Sequence, residues 1–368
     1  MAEKRKIRYA VVGLGWIAQE TVLPAFANTK NSELAALVTG DPQKARELSQ
    51  AYSVPHTLSY DEYDSFLASR EVDAVYIASP NSEHADHAVR AARAGVHVLC
   101  EKPMAANSQQ CQEMIRAASD HNVRLMIAYR LHFERTNLKA VEVIEKGQIG
   151  EPRLFSSVFS QQVKPGNIRL RKDLAGGPLM DMGVYCINAA RYVFRDEPVE
   201  AMAMGANNGE PRFREVHEAV SAILRFPSDR LAAFSCSFGA ESIDSWYAVG
   251  TKGTIHLQPG YEYHEPMNIT AVVNGKEYHR EVKPHDQFGA EIEYFSDCIL
   301  ENREPEPDGY EGLADIRVVE ALLESMRTGK PAQVAQTPIH RRPEPDQKIE
   351  KPAVKAKEII HADSPGQG

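Results

Sequence analysis

Up to Gly150 the chain alternates short apolar runs with segments whose apolar positions recur every three or four residues. The runs Ile7–Val12, Leu34–Thr39, Asp73–Ala78, Val96–Cys100 and Arg124–Ala128 predict buried strands. The periodic segments predict helices over Ile17–Ala27, Pro42–Ala51, Tyr60–Ala68, Ser82–Ala94 and Ser108–His121. Boundary residues agree: Gly95 stands at a helix C-cap position, and Asn107 with Gln110 has capping-box spacing. Strands alternating with helices predict an α/β domain over residues 1–130, its parallel sheet covered on both faces.

The texture then changes. A helical pattern at Thr136–Lys146 ends at Gly147, and Leu154–Phe159, Val199–Met204, Ala219–Phe226, Leu231–Phe238 and Trp246–Val249 predict strands. Ile269–Val273 and Lys276–Val282 flank Asn274-Gly275, and Pro227-Ser228-Asp229 separates two other runs; both turns predict antiparallel pairing. Helices at Gln287–Glu301 and Gly309–Thr328 follow. Residues 131–336 therefore read as an α+β domain with a large, mostly antiparallel, open-faced sheet. Residues 337–368 carry scattered charge and prolines at 338, 343, 345, 352 and 365. Such a tail is extended or disordered, or wraps a neighbouring subunit.

Composition narrows the function. The 368 residues are 43% hydrophobic with a net charge of −9, so no basic field exists to hold nucleic acid or an anionic membrane. Mean hydropathy is −0.41, and no apolar run approaches the ~20 residues that span a bilayer. The short apolar stretch near the N-terminus lacks the core and cleavage site of a signal peptide, which predicts a cytoplasmic protein. Five scattered cysteines without a C-x-x-C predict reduced, buried thiols.

The first strand runs into Gly13-Leu14-Gly15-Trp16-Ile17-Ala18, a G-x-G-x-x-A turn. The first glycine permits the tight turn, the second lets a pyrophosphate approach the backbone, and the small third residue lets helix and strand pack closely. The motif has its required context, a strand before and a helix after, and predicts a Rossmann dinucleotide site. The second strand ends Val38-Thr39-Gly40-Asp41-Pro42-Gln43-Lys44. Thr39 stands where NAD sites place an acid, and a hydroxyl with the Lys44 ammonium suits a 2′-phosphate, which favours NADP over NAD. Asp41 either caps the next helix or binds ribose. His84, Asp86 and His87 resemble a metal cluster, but sit on one part-solvated helix without metal-site spacing, so no metal is expected.

Two further motifs are Glu101-Lys102-Pro103 after the fifth strand and Gly176-Gly177-Pro178-Leu179-Met180-Asp181-Met182-Gly183-Val184-Tyr185. Together with the glycine turn they resemble the Gfo/Idh/MocA oxidoreductases over residues 5–330. Tyr185 in place of a histidine, Ala128-Tyr129-Arg130, and Ile168-Arg169-Leu170-Arg171 are most similar to the glucose–fructose oxidoreductase branch of that family. The resemblance implies catalytic roles for Lys102, Asp181 and Tyr185, with Tyr129 as a further site residue. It implies that Arg169 lies near the nicotinamide and that Pro80 and Asn81 line the cofactor. The full expected cofactor set is Gly13, Gly15, Trp16, Ile17, Thr39, Gly40, Lys44, Pro80, Asn81, His84, Glu101, Lys102, Arg130 and Arg169.

Elementary chemistry agrees. Removing hydride from a carbinol needs a base on its hydroxyl. An ordinary tyrosine has a pKa near 10, so a neighbouring cation is needed to favour its anion, and Lys102 is the natural candidate. In reverse the same tyrosine protonates a carbonyl oxygen. Asp181, four residues before Tyr185, shares its helix face and binds a substrate hydroxyl or holds Lys102. The expected activity is NADP-dependent oxidation of a monosaccharide or polyol, with the cofactor either retained with the tail's help or freely exchanging. The alternatives are a keto-sugar or dihydrodiol-type reductase and a non-catalytic nucleotide-sensing relative. The resemblance also implies pairing of open sheet faces into a homodimer or homotetramer.

Overall fold

The computed structural model describes residues 5–366. The chain divides into two compact units, one comprising Met1–Arg130, His285–Gly312 and Glu350–Ser364, the other Leu131–Pro284, Leu313–Ile349 and Pro365–Gly368. The helix Gln287–Leu300 and part of the C-terminal segment thus join the N-terminal unit, a return that local periodicity does not encode.

In the first unit, strands β1 (Ile7–Val12), β2 (Ser32–Val38), β3 (His56–Leu58), β4 (Ala74–Ile77), β5 (His97–Cys100) and β6 (Leu125–Ile127) form a sheet. All pairings are parallel, in the order β3-β2-β1-β4-β5-β6. Ile7, Val11, Val12, Val75 and Ile77 are fully buried, each contributing about 1.5–3 kcal/mol of hydrophobic stabilisation. The helices between them are capped as their sequences predict: Asn107 accepts from the Gln110 amide at 2.9 Å, and Gly95 takes the left-handed conformation. The helix Gln287–Leu300 lies beside the sheet, with Ser296 hydrogen-bonded to Tyr9 at 2.8 Å and to Ser32 at 2.7 Å.

The second unit holds a nine-stranded sheet of β7 (Pro152–Ser160), β8 (Glu200–Ala206), β9 (Ala219–Phe226), β10 (Arg230–Ser237), β11 (Ile243–Gly250), β12 (Gly253–Leu257), β13 (Met267–Val273), β14 (Lys276–Val282) and β15 (Ala332–Gln333). Its order is β14-β13-β12-β11-β7-β10-β9-β8-β15, antiparallel except for the central β7–β10 pair. Asn274 and Gly275 both have positive φ, the geometry of the tight hairpin expected there. Along β9, Val220, Ala222, Leu224 and Phe226 are buried, while Ile223 points to the other face and is 52% exposed. That second face also carries Leu154, Val158, Met202, Met204, Leu231 and Tyr247.

Three strands and one helix escape the hydrophobic pattern. The strand β3 is a three-residue edge with no buried position, β15 has two residues, and β12 begins at a glycine. The helix Val184–Phe194 is buried nearly all round, so it shows no apolar stripe. Residues 337–366 are extended, with one turn at Pro345–Gln347. All five cysteines are free and buried.

Candidate active site

The glycine turn meets its steric demands differently at its two glycines. Gly13 has φ +88°, and a Cβ there would lie 2.5 Å from the Ser79 amide nitrogen and 2.7 Å from the Ala78 carbonyl carbon, so only glycine lets the turn pass over the end of β4. A Cβ on Gly15 would meet nothing within 4 Å. That open backbone, on the exposed side of the turn and at the start of a helix, fits a pyrophosphate. Trp16 and Ile17 begin the helix and stay partly exposed, whereas Ala18 is fully buried. A π-helical turn, Ala18–Val22, follows directly, a distortion often found at functional sites.

At the end of β2, Thr39 accepts the Asp41 amide at 3.3 Å. Asp41 caps the helix Pro42–Tyr52, one carboxylate oxygen accepting the Gln43 and Lys44 amides at 3.0 Å each. Its other oxygen lies 2.8 Å from the His361 ring. The Lys44 amide first and His361 second hold the Asp41 carboxyl down to about 2. Gly40 lies beside the Tyr60 ring, and Lys44 occupies the first helical turn. Gln19, 1% exposed, binds the backbone of Ile360. The C-terminal segment therefore meets both the glycine turn and the capping aspartate, and neither Gln19 nor His361 has a motif that would have exposed it.

Pro80 and Asn81 follow β4, and the buried His84 ring joins that loop to the Glu101-Lys102-Pro103 turn. One ring nitrogen lies 2.9 Å from the Ser79 carbonyl and the other 2.9 Å from the Pro103 carbonyl. Burial holds its pKa below the ordinary value, against the pull of those carbonyls. His87 is hydrogen-bonded to Ser79 at 3.1 Å and stacked on Tyr60. Both histidines thus serve the architecture of this loop. Among the described residues no three His, Cys, Asp or Glu side chains group to hold a metal.

Lys102 stands two residues past the end of β5, and its amide donates to the Glu101 carboxylate at 3.2 Å. Glu101 is buried, and Tyr76 lies 2.8 Å from it and 2.9 Å from Glu291. Tyr129 and Arg130, both buried, follow β6, with the Arg130 guanidinium donating to Gln287. Glu291 and Gln287 lie on a helix remote in sequence, which is why the motifs give no hint of them.

In the second unit the glycines of the Gly176-Gly177 pair shape the loop before them. The Gly176 amide donates to the Arg171 carbonyl at 2.9 Å and the Gly177 amide to the Arg169 carbonyl at 2.8 Å. A Cβ on Gly176 would lie 2.3 Å from the Arg169 carbonyl oxygen. The loop so folded delivers the Arg169 guanidinium to Asp181 at 2.8 Å. Burial works against the Arg169 charge, but the Asp181 carboxylate outweighs it and raises the guanidinium pKa, with Tyr263 and Tyr185 acting in the same direction. Asp181 lies in a π-helical turn, Leu179–Gly183, that leads into the helix Val184–Phe194. The Tyr185 ring, at its head, packs against Phe159 and Tyr261 with centroids 5.6 and 5.7 Å away. The sequence identified Arg169, Asp181 and Tyr185 separately; the Arg169–Asp181 ion pair is new.

A parallel dinucleotide fold with an open glycine turn, joined to a sheet unit bearing a carboxylate, a guanidinium cation and a tyrosine, defines a dinucleotide-dependent oxidoreductase. The chain belongs to the Gfo/Idh/MocA oxidoreductase family: the profile described as "Oxidoreductase family, NAD-binding Rossmann fold" matches residues 7–129, and that of the family's C-terminal domain matches residues 137–256. It is 32% identical over 336 residues to the D-xylose 1-dehydrogenase [NADP(+)] of Haloarcula marismortui, covering 89% of this chain and 93% of that one. It is 26% identical over 334 residues to the 1,5-anhydro-D-fructose reductase of Ensifer adhaerens, covering 89% and 98%. Among solved structures it is similar to the aldose–aldose oxidoreductase from Caulobacter crescentus complexed with glycerol. That match has 37% identity and a TM-score of 0.86, covering 89% of this chain and 100% of the other. Among the described residues no helix is long and apolar enough to cross a membrane.

Proposed function

We propose that this protein is an NADP-dependent oxidoreductase that transfers hydride between a monosaccharide, at its anomeric carbon, and the nicotinamide. The observation that carries this reading is the presence of Lys102, Asp181 and Tyr185 together in a chain resembling sugar oxidoreductases over 89% of its length. Gly13, Gly15, Trp16 and Ile17 would hold the pyrophosphate, and Thr39, Gly40 and Lys44 the 2′-phosphate end. Asp41 favours NADP over NAD because its carboxylate is already engaged by the helix cap and His361. Pro80, Asn81, His84, Glu101, Arg130 and Arg169 complete the cofactor set. Bound there, the nicotinamide supplies the hydride acceptor.

The chain's own residues manage the proton and the substrate's position. Tyr185 Oη removes the proton from the sugar hydroxyl during oxidation and returns one to the carbonyl oxygen during reduction. Lys102 and Arg169 supply positive charge for the oxygen that loses its proton. Asp181, oriented by Arg169, accepts a substrate hydroxyl, and Tyr129 helps to orient the ring. We place the enzyme in the cytoplasm as a homodimer or homotetramer, with the apolar open face of the second unit's sheet as the pairing surface.

The test is an absorbance and fluorescence spectrum of the untreated purified protein, followed by addition of D-xylose or D-glucose. Growth of the reduced-nicotinamide absorbance with bound or added NADP supports the proposal. Absence of reduction by any aldose, with nucleotide bound, overturns it.

A further inference from the structure

The buried side chains behind Lys102 pose a proton-counting problem. Tyr76 Oη lies 2.8 Å from Glu101 Oε1 and 2.9 Å from Glu291 Oε1. All three residues are buried, Tyr76 and Glu291 completely. A phenol hydroxyl has one hydrogen, so it can donate to only one of two acceptors. Were both glutamates ionised, the second short contact would set lone pairs against lone pairs away from water, at the full cost of an unmet buried charge. One glutamate must therefore be a carboxylic acid that donates to Tyr76, which donates onward to the other.

The surroundings decide which one. Glu101 also accepts the Lys102 amide, and it feels the Lys102 and Arg130 cations. Glu291 Oε2, by contrast, has no hydrogen-bond partner among the described residues and no access to solvent. A carboxylate oxygen without a donor is costly there, whereas the carbonyl oxygen of an acid tolerates the position. We propose that Glu291 is a neutral carboxylic acid at neutral pH, and that it positions Glu101 through Tyr76 so that a single negative charge stands behind Lys102.

The wider field agrees with the geometry. Burial first, then the negative charge of Glu101, raises the Glu291 pKa, with Asp286 adding to the effect and Tyr76 and Arg130 opposing it. Burial also raises Glu101, but Lys102, Tyr76 and Arg130 all oppose that rise. The chain runs from Glu291 to Tyr76 to Glu101, one residue short of Lys102. Glu291 is thus a positioning residue, and only its kinetic consequence rests on the catalytic role proposed for Lys102.

Infrared difference spectroscopy of the full-length protein at neutral pH tests the assignment without sugar or turnover. The carbonyl stretch of a protonated carboxyl group is expected in the wild type and absent from Glu291→Gln, with a shift on transfer to heavy water. A difference spectrum showing only loss of an ionised carboxylate overturns the proposal. The kinetic arm uses the Gln amide as a substitute donor to Tyr76. Glu291→Gln is expected to keep kcat within about threefold of wild type, while Glu291→Ala lowers it about tenfold with nucleotide affinity unchanged. Equal loss in both variants removes the positioning role. A wild-type protein that turns over no sugar defeats the proposed function and leaves the infrared result standing.

Discussion

The side-chain amide of Gln19 holds the backbone of Ile360 from both sides, donating to its carbonyl at 2.9 Å and accepting its N–H at 2.8 Å. The second amide hydrogen of Gln19 goes to the Leu14 carbonyl in the glycine turn, also at 2.9 Å. One buried side chain therefore couples the nucleotide turn to a segment 341 residues away. Nearby, Lys357 donates to the Ala51 carbonyl and lies 4.5 Å from the centroid of the Tyr52 ring.

Loss of the two Gln19–Ile360 bonds costs about 1–3 kcal/mol of local stability, which raises the open population of the segment at least about fivefold. Gln19→Ala is therefore expected to speed tryptic cleavage after Lys355 and Lys357 by about that factor, read by mass spectrometry over time. An unchanged cleavage rate would show that the segment is held by its other bonds.

Acid should destabilise the first unit through its neutral histidines. The His97 ring accepts the Arg124 amide at 2.9 Å through Nδ1, a bond that protonation removes. Burial first, then the Arg124 charge, lowers His97 to about 4, and burial lowers His87 to about 4 as well. Between about 6.5, the ordinary histidine value, and about 4, the unfolded chain binds protons that the folded one refuses. Stability therefore rises with pH across that window, is complete above it, and falls as pH drops through it. Tm measured from pH 7 to pH 4 is expected to fall less steeply in His97→Gln than in the wild type. Parallel curves would remove His97 from the account.

How far the sequence reveals this molecule depends on whether a signal is local. Gly13 is legible because one turn needs its conformation, and Lys102 and Tyr185 because each sits in a short, spaced motif. The edge strand at His56–Leu58 is not, since it buries none of its three side chains. The helix Val184–Phe194 is hidden for the opposite reason, being buried on nearly every face. Glu291 and Gln19 lie on ordinary helical patterns. Their importance comes from partners that only the folded chain supplies, Tyr76 in one case and Ile360 in the other. The tail shows the same limit, because its prolines predict extension and say nothing of what it binds.

The open sheet face offers a test of assembly. Met202, Ile223, Ala233, Ser156 and Tyr247 stand in register across five strands. Met202 is 40%, Ile223 52% and Tyr247 46% exposed. In an isolated protomer Ile223→Glu places a charge in water, at a stability cost within about 0.5 kcal/mol. In a face-to-face pair it buries an uncompensated carboxylate, which is strongly unfavourable. Light scattering coupled to gel filtration is expected to show the variant at half the wild-type mass or less. An unchanged mass would place any subunit interface elsewhere.

The last prediction separates chemistry from packing at Tyr185. Its ring rests against Phe159 and Tyr261, and Tyr185→Phe keeps those contacts while deleting the oxygen. Thermal stability should therefore move by less than about 1 kcal/mol, and the affinity for NADP should stay the same, since the substitution leaves the first unit's glycine turn untouched. A general acid–base group contributes about 10²–10⁴ in rate, so kcat for aldose oxidation is expected to fall by at least about a hundredfold. The comparison variant is Asp181→Asn, which weakens the 2.8 Å ion pair with Arg169 while leaving the tyrosine oxygen in place. Its main expected effect is a higher KM for the sugar, with a smaller fall in kcat than in Tyr185→Phe. Steady-state kinetics on both proteins decide the assignment: if Tyr185→Phe turns over sugar at the wild-type rate, the proton passes through another group and Tyr185 is only part of the aromatic packing.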